Sequence, residues 1–319
     1  MTLDINILSR SVFFLTACHL MQPLFASDAV DKVIFQPHPA SYQTSLTGLS
    51  EVRAADGTTL ALIHLPNNNA QQTVFYFHGN AEDLGDCLPV LKQLQSAGFA
   101  VLAFDYRGYG RSTGQPEEGN VYADTKVVLA HAKVNFGVTS ERLLVVGRSL
   151  GGGPAVELAM REPVAGLILV SAFQSVARMA PGVKLAPDRF DNLTKIVHVR
   201  APILIIHGTA DEVVPFAQGQ ALFAAASEPK RAVWLEGVKH NNVFATASDR
   251  FLSELKNFAK NFPPPGKEAP LRACFAGHED SQANPLAHRT FRRFALRGSG
   301  GVWLDWLGAD DLSATVGVI

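Results

Sequence analysis

The stretch VVGRSLGGGPAVELAM, residues 145–160, joins a β-branched apolar run to a segment with helical spacing. Between the two lies GRSLG, centred on Ser149 and followed by two further glycines. Glycine is unfavourable inside a helix or a strand because it loses the most backbone entropy on ordering. The glycines therefore predict a strained turn, at which a Cβ would clash and Ser149 exposes its hydroxyl. An ordinary glycine-rich bend is the alternative.

Strand-like and helix-like runs alternate between residues 46 and 262. LSEVRAADGTTLALIHLP predicts a hairpin that turns at Asp56-Gly57. Six later apolar runs are typical of strands buried on both faces of a parallel sheet: TVFYFHG, FAVLAFDYRG, RLLVVGRS, GLILVSAF, PILIIHGTAD and RAVWLEGVKH. Stretches such as DCLPVLKQLQSAG between them carry apolar residues at helical spacing. The predicted fold class is α/β, a mostly parallel twisted sheet with helices on both faces.

The chain divides into three predicted parts. Residues 33–262 form the α/β domain, residues 1–26 a signal or lipoprotein signal segment, and residues 263–319 a C-terminal appendage. The proline run in NFPPPGKEAP ends the last helix, because each proline removes an amide donor and clashes with the preceding turn. No sustained period follows it, so we expect the appendage to be poorly ordered.

The N-terminal apolar run SVFFLTA is too short to span a membrane, which takes roughly 20 apolar residues. Its position after Arg10 favours a secretory signal. The run ends in LTAC, which resembles the lipobox of bacterial lipoproteins, where the cysteine is lipidated. We therefore expect an exported protein, with Cys18 as the candidate lipidation site and a membrane tether or a periplasmic location as the result. Cleavage after Ala26 and a cytoplasmic protein are the alternatives.

Composition excludes several kinds of partner. The 28 Lys and Arg residues nearly balance the 29 Asp and Glu residues, and no basic block stands out, so we expect no nucleic-acid partner. The three cysteines Cys18, Cys87 and Cys274 lie far apart and give neither a disulfide framework nor metal-ligand spacing. No His/Cys/Asp group has the pattern of a zinc site. We expect no metal and no cofactor.

The candidate catalytic residues follow strands, where ligands bind on such sheets. Ser149 follows LLVV, Asp211 comes after ILII, and His240 comes after AVWL. A serine hydroxyl needs a base, and His240 in the polar loop GVKHNN is the best of ten histidines. Asp211 would fix the imidazole and is favoured over its neighbour Glu212. The chain order Ser149, Asp211, His240 is that of α/β-hydrolases.

Acyl transfer also needs fixed donors for the negative charge that develops on the substrate oxygen. One predicted donor is the backbone amide of Leu150, at the start of the helix after the nucleophile. The loop FHGNAEDLG after the third strand supplies the other. We choose the Asn80 amide there, with His78 and Gly79 shaping the loop.

Five stretches together resemble the small-cap branch of the α/β-hydrolases over roughly residues 33–262: FYFHGNAEDLG, FDYRGYGRSTGQPEE, GRSLGGGPA, HGTADEVVPF and GVKHNN. This branch includes serine aminopeptidase-like, monoacylglycerol lipase-like and membrane-associated acyl-protein thioesterase-like enzymes. The resemblance implies that Asp105 and Arg107 shape the floor of the site. VKHNN departs from the pattern, because many relatives have a glycine before the histidine.

The predicted substrate is a small acyl ester or thioester. About 32 residues separate LILV from ILII, which leaves room for only a small cap. We expect residues 171–200 to form one or two short helices, either as a lid over the site or as surface helices packed on the sheet. An apolar, lightly covered site suits short or medium acyl chains. The predicted function is ester hydrolysis through an acyl-enzyme. An aminopeptidase or amidase on the same triad is the first alternative, although no residue is assigned to an acidic pocket for the substrate amine. A non-catalytic binding protein is the second.

Overall fold

The computed structural model describes residues 31–32, 34–179 and 188–263. The predicted signal segment, Cys18 included, lies outside the described residues, as does the predicted appendage from residue 264 onward. The three domain boundaries therefore stay predictions. Within the described ranges, no helix combines the length and the apolar character needed to cross a bilayer.

The described residues form one eight-stranded sheet in the order β1-β2-β4-β3-β5-β6-β7-β8. The strands are β1 (Leu49–Arg53), β2 (Thr59–Leu65), β3 (Thr73–Phe77), β4 (Ala100–Phe104), β5 (Leu143–Arg148), β6 (Gly166–Val170), β7 (Ile203–Gly208) and β8 (Lys230–Leu235). β2 pairs antiparallel with β1 and β4, and every other neighbouring pair is parallel. The predicted mostly parallel sheet is confirmed.

The helices connect these strands. They are α1 (Leu84–Ser96), α2 (Glu118–Phe136), α3 (Gly152–Arg161), α4 (Val176–Met179), α5 (Asn192–Ile196), α6 (Phe216–Ala225), α7 (Val243–Thr246) and α8 (Ser248–Asn261). The short helices α4 and α5 lie in the segment predicted to form a small cap, while residues 180–187 between them lie outside the description. α8 ends just before the proline run, as predicted.

The predicted hairpin is present as β1 and β2. Arg53 pairs with Thr59 at the end of the hairpin next to the turn, and Gly57 has a φ of 87° in the turn. The Asp56 carboxylate accepts a hydrogen bond from the Thr58 amide at 3.0 Å. A positive φ is unstrained in glycine, so Asp-Gly gives this turn its shape.

The core lies on both faces of the sheet. In β5, Leu143 and Val145 pack into the layer that contains α2, α3, α5 and α6. Leu144 and Val146 point the other way, toward α1 and α8. All six residues of β5 are buried, which explains why its sequence is a continuous apolar run instead of an alternating one.

Candidate active site

The predicted site residues meet at one edge of the sheet. His78 follows β3 and Ser149 follows β5 directly, while Asp211 comes three residues after β7 and His240 five after β8. Since these four strands are neighbours or near neighbours and run parallel, their carboxyl ends share an edge. This is the edge at which α/β sheets bind ligands.

Ser149 sits on a tightly packed and strained turn. Its φ is 49°, a left-handed conformation that costs about 1–3 kcal/mol in a residue other than glycine. A Cβ at Gly147 would lie 2.4 Å from the Gly151 carbonyl oxygen, and a Cβ at Gly151 would lie 2.2 Å from the Phe77 carbonyl oxygen. The glycines therefore allow strand, turn and helix to approach each other, as the sequence predicted, and an ordinary loose bend does not describe this geometry.

Gly151→Ala is expected to destabilise the fold by about 1–3 kcal/mol and to lower activity, because the new methyl group meets backbone atoms of β3 that cannot rotate away. Chemical denaturation measures the change. Gly119→Ala is the matched control: its Cβ, in the first turn of α2, meets nothing closer than 3.8 Å. Equal stability of the Gly151 variant and the wild type would contradict the close packing described for this turn.

Three side chains form a continuous hydrogen-bonded chain. The His240 Nε2 atom lies 3.1 Å from the Ser149 Oγ atom. On the other side of the ring, His240 Nδ1 lies 2.8 Å from an Asp211 carboxylate oxygen. His240 is 5% exposed, whereas Ser149 is half-buried and so remains open to a ligand. A hydroxyl, a base and an orienting carboxylate thus stand within hydrogen-bond reach of each other.

Asp211 is held as an anion. Its Oδ1 atom accepts hydrogen bonds from the amides of Val213 at 3.0 Å and Val214 at 2.7 Å. Burial acts to raise the pKa of this carboxyl, but hydrogen bonds from His207 and His240 outweigh it and hold the pKa well below its usual value. Glu212, the competing carboxylate, is exposed and belongs to no such network among the described residues.

His207 packs at the end of β7. It is fully buried, and its Nε2 atom donates to the Val214 carbonyl oxygen at 2.9 Å. The same nitrogen lies 3.4 Å from the Asp211 carboxylate. Sequence reasoning missed this second contact, although the separation of four residues across a strand end was a usable signal.

The Asn80 amide is oriented by its neighbours. His78 Nδ1 donates to the Gly79 carbonyl oxygen at 2.8 Å. That carbonyl and the Asn80 N–H belong to one planar peptide group, so the contact also fixes the direction of the N–H. In the part of the chain that the structure describes, the Asn80 N–H has no acceptor. The Leu150 N–H lies in the first turn of the helical segment after Ser149, where amides have no partner within the helix.

The Asn80 side chain is held by a segment that precedes every strand. Its Nδ2 atom donates to the Ile34 carbonyl oxygen at 2.7 Å, and its Oδ1 atom accepts from the Gln36 amide at 3.0 Å. The Tyr109 hydroxyl also donates to Oδ1, at 2.5 Å. No periodicity or motif in the sequence predicted these contacts.

Asp105 and Arg107, which the resemblance assigns to the floor of the site, are both buried and hydrogen-bonded, and their role at the site stays a prediction. Arg107 binds Asp124 through two hydrogen bonds of 2.8 Å and Asp56 through one of 2.6 Å. Asp105 is fully buried, and burial raises its pKa. Its carboxylate accepts hydrogen bonds from the Tyr42 hydroxyl and from the amides of Leu84 and Arg111.

One group of potential metal ligands occurs among the described residues: His38, Asp83 and Asp86, whose ligand atoms lie within 4.8 Å of one another. Asp83 caps α1, with its oxygens accepting from the amides of Gly85 and Asp86 and from Ser41. Its lone pairs are thus already used by the helix cap, and we assign no metal to the group.

Comparison with known proteins identifies the family. Residues 68–199 match the family described as "Serine aminopeptidase, S33". Human alpha/beta hydrolase domain-containing protein 17B is 37% identical over 211 residues, which cover 65% of this chain and 73% of that protein. The chain belongs to the α/β-hydrolase superfamily.

A second relative and a solved structure also match this α/β-hydrolase and support the same superfamily. The Caenorhabditis elegans alpha/beta hydrolase domain-containing protein aho-3 is 34% identical over 282 residues, covering 78% of this chain and 83% of that protein. The Pyrococcus furiosus esterase Pf2001 superimposes with a TM-score of 0.60 at 20% identity, covering 72% of this chain and 98% of that one. At this identity the esterase shows the fold alone. The family and the relatives support a hydrolase, and the predicted fold class is confirmed.

Proposed function

We propose that this α/β-hydrolase cleaves carboxylic esters or thioesters through a Ser149–His240–Asp211 catalytic triad. The observation that carries the proposal is the hydrogen-bonded chain from Ser149 Oγ through the His240 ring to the buried Asp211 carboxylate, at 3.1 and 2.8 Å. Its nucleophile stands on the strained turn that serine hydrolases of this fold require. A binding protein on this fold would need none of these three groups, and all three are present.

The reaction has two half-reactions. Ser149 Oγ attacks the acyl carbonyl carbon while His240 Nε2 takes the hydroxyl proton, and Asp211 stabilises the resulting imidazolium. The amides of Leu150 and Asn80 receive the negative carbonyl oxygen. His240 then returns the proton to the departing alkoxide or thiolate, which leaves an acyl-enzyme. Water attacks the acyl group with His240 as base, and the carboxylic acid and free Ser149 are released.

An ester or thioester is favoured over a peptide. An aminopeptidase binds the ammonium group of its substrate with a free carboxylate. Glu82, which lies two residues after Asn80, is not free: it pairs with Arg148 and accepts a hydrogen bond from the Gly79 amide at 2.7 Å. The neighbourhood of the Asn80 donor therefore supports an uncharged acyl substrate.

The test is a hydrolysis panel of nitrophenyl acyl esters of increasing chain length, acyl thioesters and aminoacyl anilides. We expect the highest kcat/KM on an ester or thioester of short or medium acyl length, and no dependence on added metal. A higher kcat/KM on the anilides would assign the triad to a peptidase. Absence of turnover, together with no fluorophosphonate labelling of Ser149, would indicate a binding protein.

We also propose that the protein is exported and tethered to a membrane through a lipidated Cys18. The support is the short apolar run and the LTAC sequence that ends it. Several acyl chains on one cysteine anchor a protein firmly, whereas one chain binds weakly. Mass spectrometry of the mature protein from a bacterial host should find a lipid-modified N-terminus at Cys18. A start at Ser27 would mean a free exported enzyme, and an intact Met1 a cytoplasmic one.

A further inference from the structure

Arg148, the residue before the nucleophile, contacts two loops of the site at once. Its Nη1 atom forms an ion pair with Glu82, in the loop after β3. Its Nη2 atom lies 3.4 Å from the His240 carbonyl oxygen and 3.4 Å from Asn241 Oδ1, in the loop after β8. Three neighbouring parts of the site are thus joined through one side chain that is 8% exposed.

Glu82 extends this connection to the Asn80 donor. One of its carboxylate oxygens binds Arg148 and the other accepts the Gly79 N–H at 2.7 Å. A Cβ at Gly79 would lie 2.9 Å from both Arg148 Nη1 and Glu82 Oε2, so the ion pair packs directly against the Gly79 backbone. With His78 fixing the carbonyl of Gly79, that residue is held on both sides.

The burial of the Arg148 guanidinium, beside a Glu82 side chain that is 25% exposed, indicates a specific role. A guanidinium at the rim of a site would be better solvated if it were exposed, and a buried ion pair gives little net stability compared with apolar residues of the same size. What such a pair does supply is a fixed geometry. Preorganised donors stabilise an oxyanion only when they are held at the position where the charge develops.

We propose that Arg148 and Glu82 are positioning residues that align the Asn80 amide with Ser149 and His240. This inference rests on the proposed function. Neither side chain reaches a reacting atom: Glu82 acts through the Gly79 backbone, and Arg148 acts through Glu82 and the His240 loop. The hydrogen bond from an aligned donor to the substrate oxygen becomes stronger in the transition state than in the bound substrate. Loss of the Arg148–Glu82 pair is therefore expected to lower kcat and to leave KM nearly unchanged.

The experiment is a double-mutant cycle on the full chain. Glu82→Ala and Arg148→Met are each expected to lower kcat about 100-fold, the effect of losing one oxyanion donor. The double variant, which leaves no unpaired buried charge, should lose about as much as either single variant, because the residues act as a unit. Glu82→Gln should retain more activity than Glu82→Ala, since its amide oxygen still accepts the Gly79 N–H.

Two further measurements separate positioning from simple structural support. Arg161→Met is the control variant, because it removes a half-exposed guanidinium from its ion pair with Glu157 on α3; its kcat should match the wild type. Active-site titration with a fluorophosphonate gives kcat per competent Ser149. The shape of the pH profile of kcat/KM should be retained in all variants.

The outcomes are distinct. Wild-type kcat per titrated Ser149 in the variants, with only a lower Tm, would overturn the positioning role, and so would additive losses in the double variant. A wild-type enzyme that hydrolyses no ester or thioester and is not labelled would contradict the proposed function, and the inference with it. An active wild type with fully active variants would contradict the inference alone.

Discussion

Replacing Ser149 with alanine is expected to lower kcat of ester hydrolysis about a million-fold, because the variant has no nucleophile for the acyl-enzyme. The fold should persist, since the half-buried side chain loses only its hydroxyl and its contact with His240. The residual rate should still exceed that in water by about 10³–10⁴, because the amides of Leu150 and Asn80 are unchanged. Steady-state kinetics measures the loss of kcat and the residual rate. Intact-protein mass spectrometry after treatment with a fluorophosphonate measures whether the variant can still be acylated.

Ser171 supplies a matched control for that variant. It follows β6 as Ser149 follows β5, and it has the same φ of 49°. Its hydroxyl is fully buried and has no hydrogen-bond partner in the described part of the chain. Ser171→Ala should therefore keep wild-type kcat, since removing an unsatisfied hydroxyl is nearly neutral. More than about a hundredth of wild-type activity in the Ser149 variant would point to another nucleophile, since loss of a triad serine removes far more.

Asp211→Asn is expected to lower kcat about 10⁴-fold with little loss of structure. The asparagine oxygen can still accept the amides of Val213 and Val214, whose hydrogen bonds to the carboxylate measure 3.0 and 2.7 Å. Its NH₂ group would then face His240 Nδ1, which has to become an acceptor. The proton moves to Nε2, where it points at Ser149 Oγ and prevents the ring from acting as a base.

The control for the Asp211 variant is Glu212→Gln, at the exposed neighbouring carboxylate, which should leave kcat unchanged. Stability gives an independent check. The pKa of Asp211 is lower in the folded protein than its value of about 3.9 in an unfolded chain, so the carboxylate stabilises the fold above that pH. This contribution is lost as the pH falls toward the folded pKa, and we expect the Asn variant to lack it. If the wild type and the Asp211→Asn variant unfolded at the same acidic pH, the description of Asp211 as a hydrogen-bonded anion would be contradicted.

Local sequence predicted those features that depend on neighbouring residues. β5 is buried on both faces, so its continuous apolar run could be predicted to form a strand of a covered sheet. The glycines around Ser149 reflect close contacts around one strand-turn-helix unit. Asp211 and His240 could be chosen because parallel strands bring their carboxyl ends to one edge. Only the structure shows that the side chains of Asp211 and His240 point toward each other.

Contacts between distant segments could not be predicted in this way. Arg148 and Glu82 are separated by 66 positions, and the Gln36 amide and Asn80 by 44. Neither pair belongs to a periodic pattern, and a charged residue next to a nucleophile is equally consistent with a solvent-exposed position. Only the folded chain shows that the arginine is buried against a carboxylate from another loop.

Because Ile34 and Gln36 bind the Asn80 side chain, the proposed catalytic unit includes a segment that precedes every strand of the sheet. A fragment starting at Leu49 would contain every strand and the whole triad, yet it would lack both backbone groups that bind the Asn80 side chain. Proteolytic cleavage between residues 37 and 48 would sever that segment from the fold and leave its retention to non-covalent contacts alone. If the segment dissociates after such cleavage, we expect turnover to fall while Ser149 stays intact, and active-site labelling by itself would not detect this inactivation.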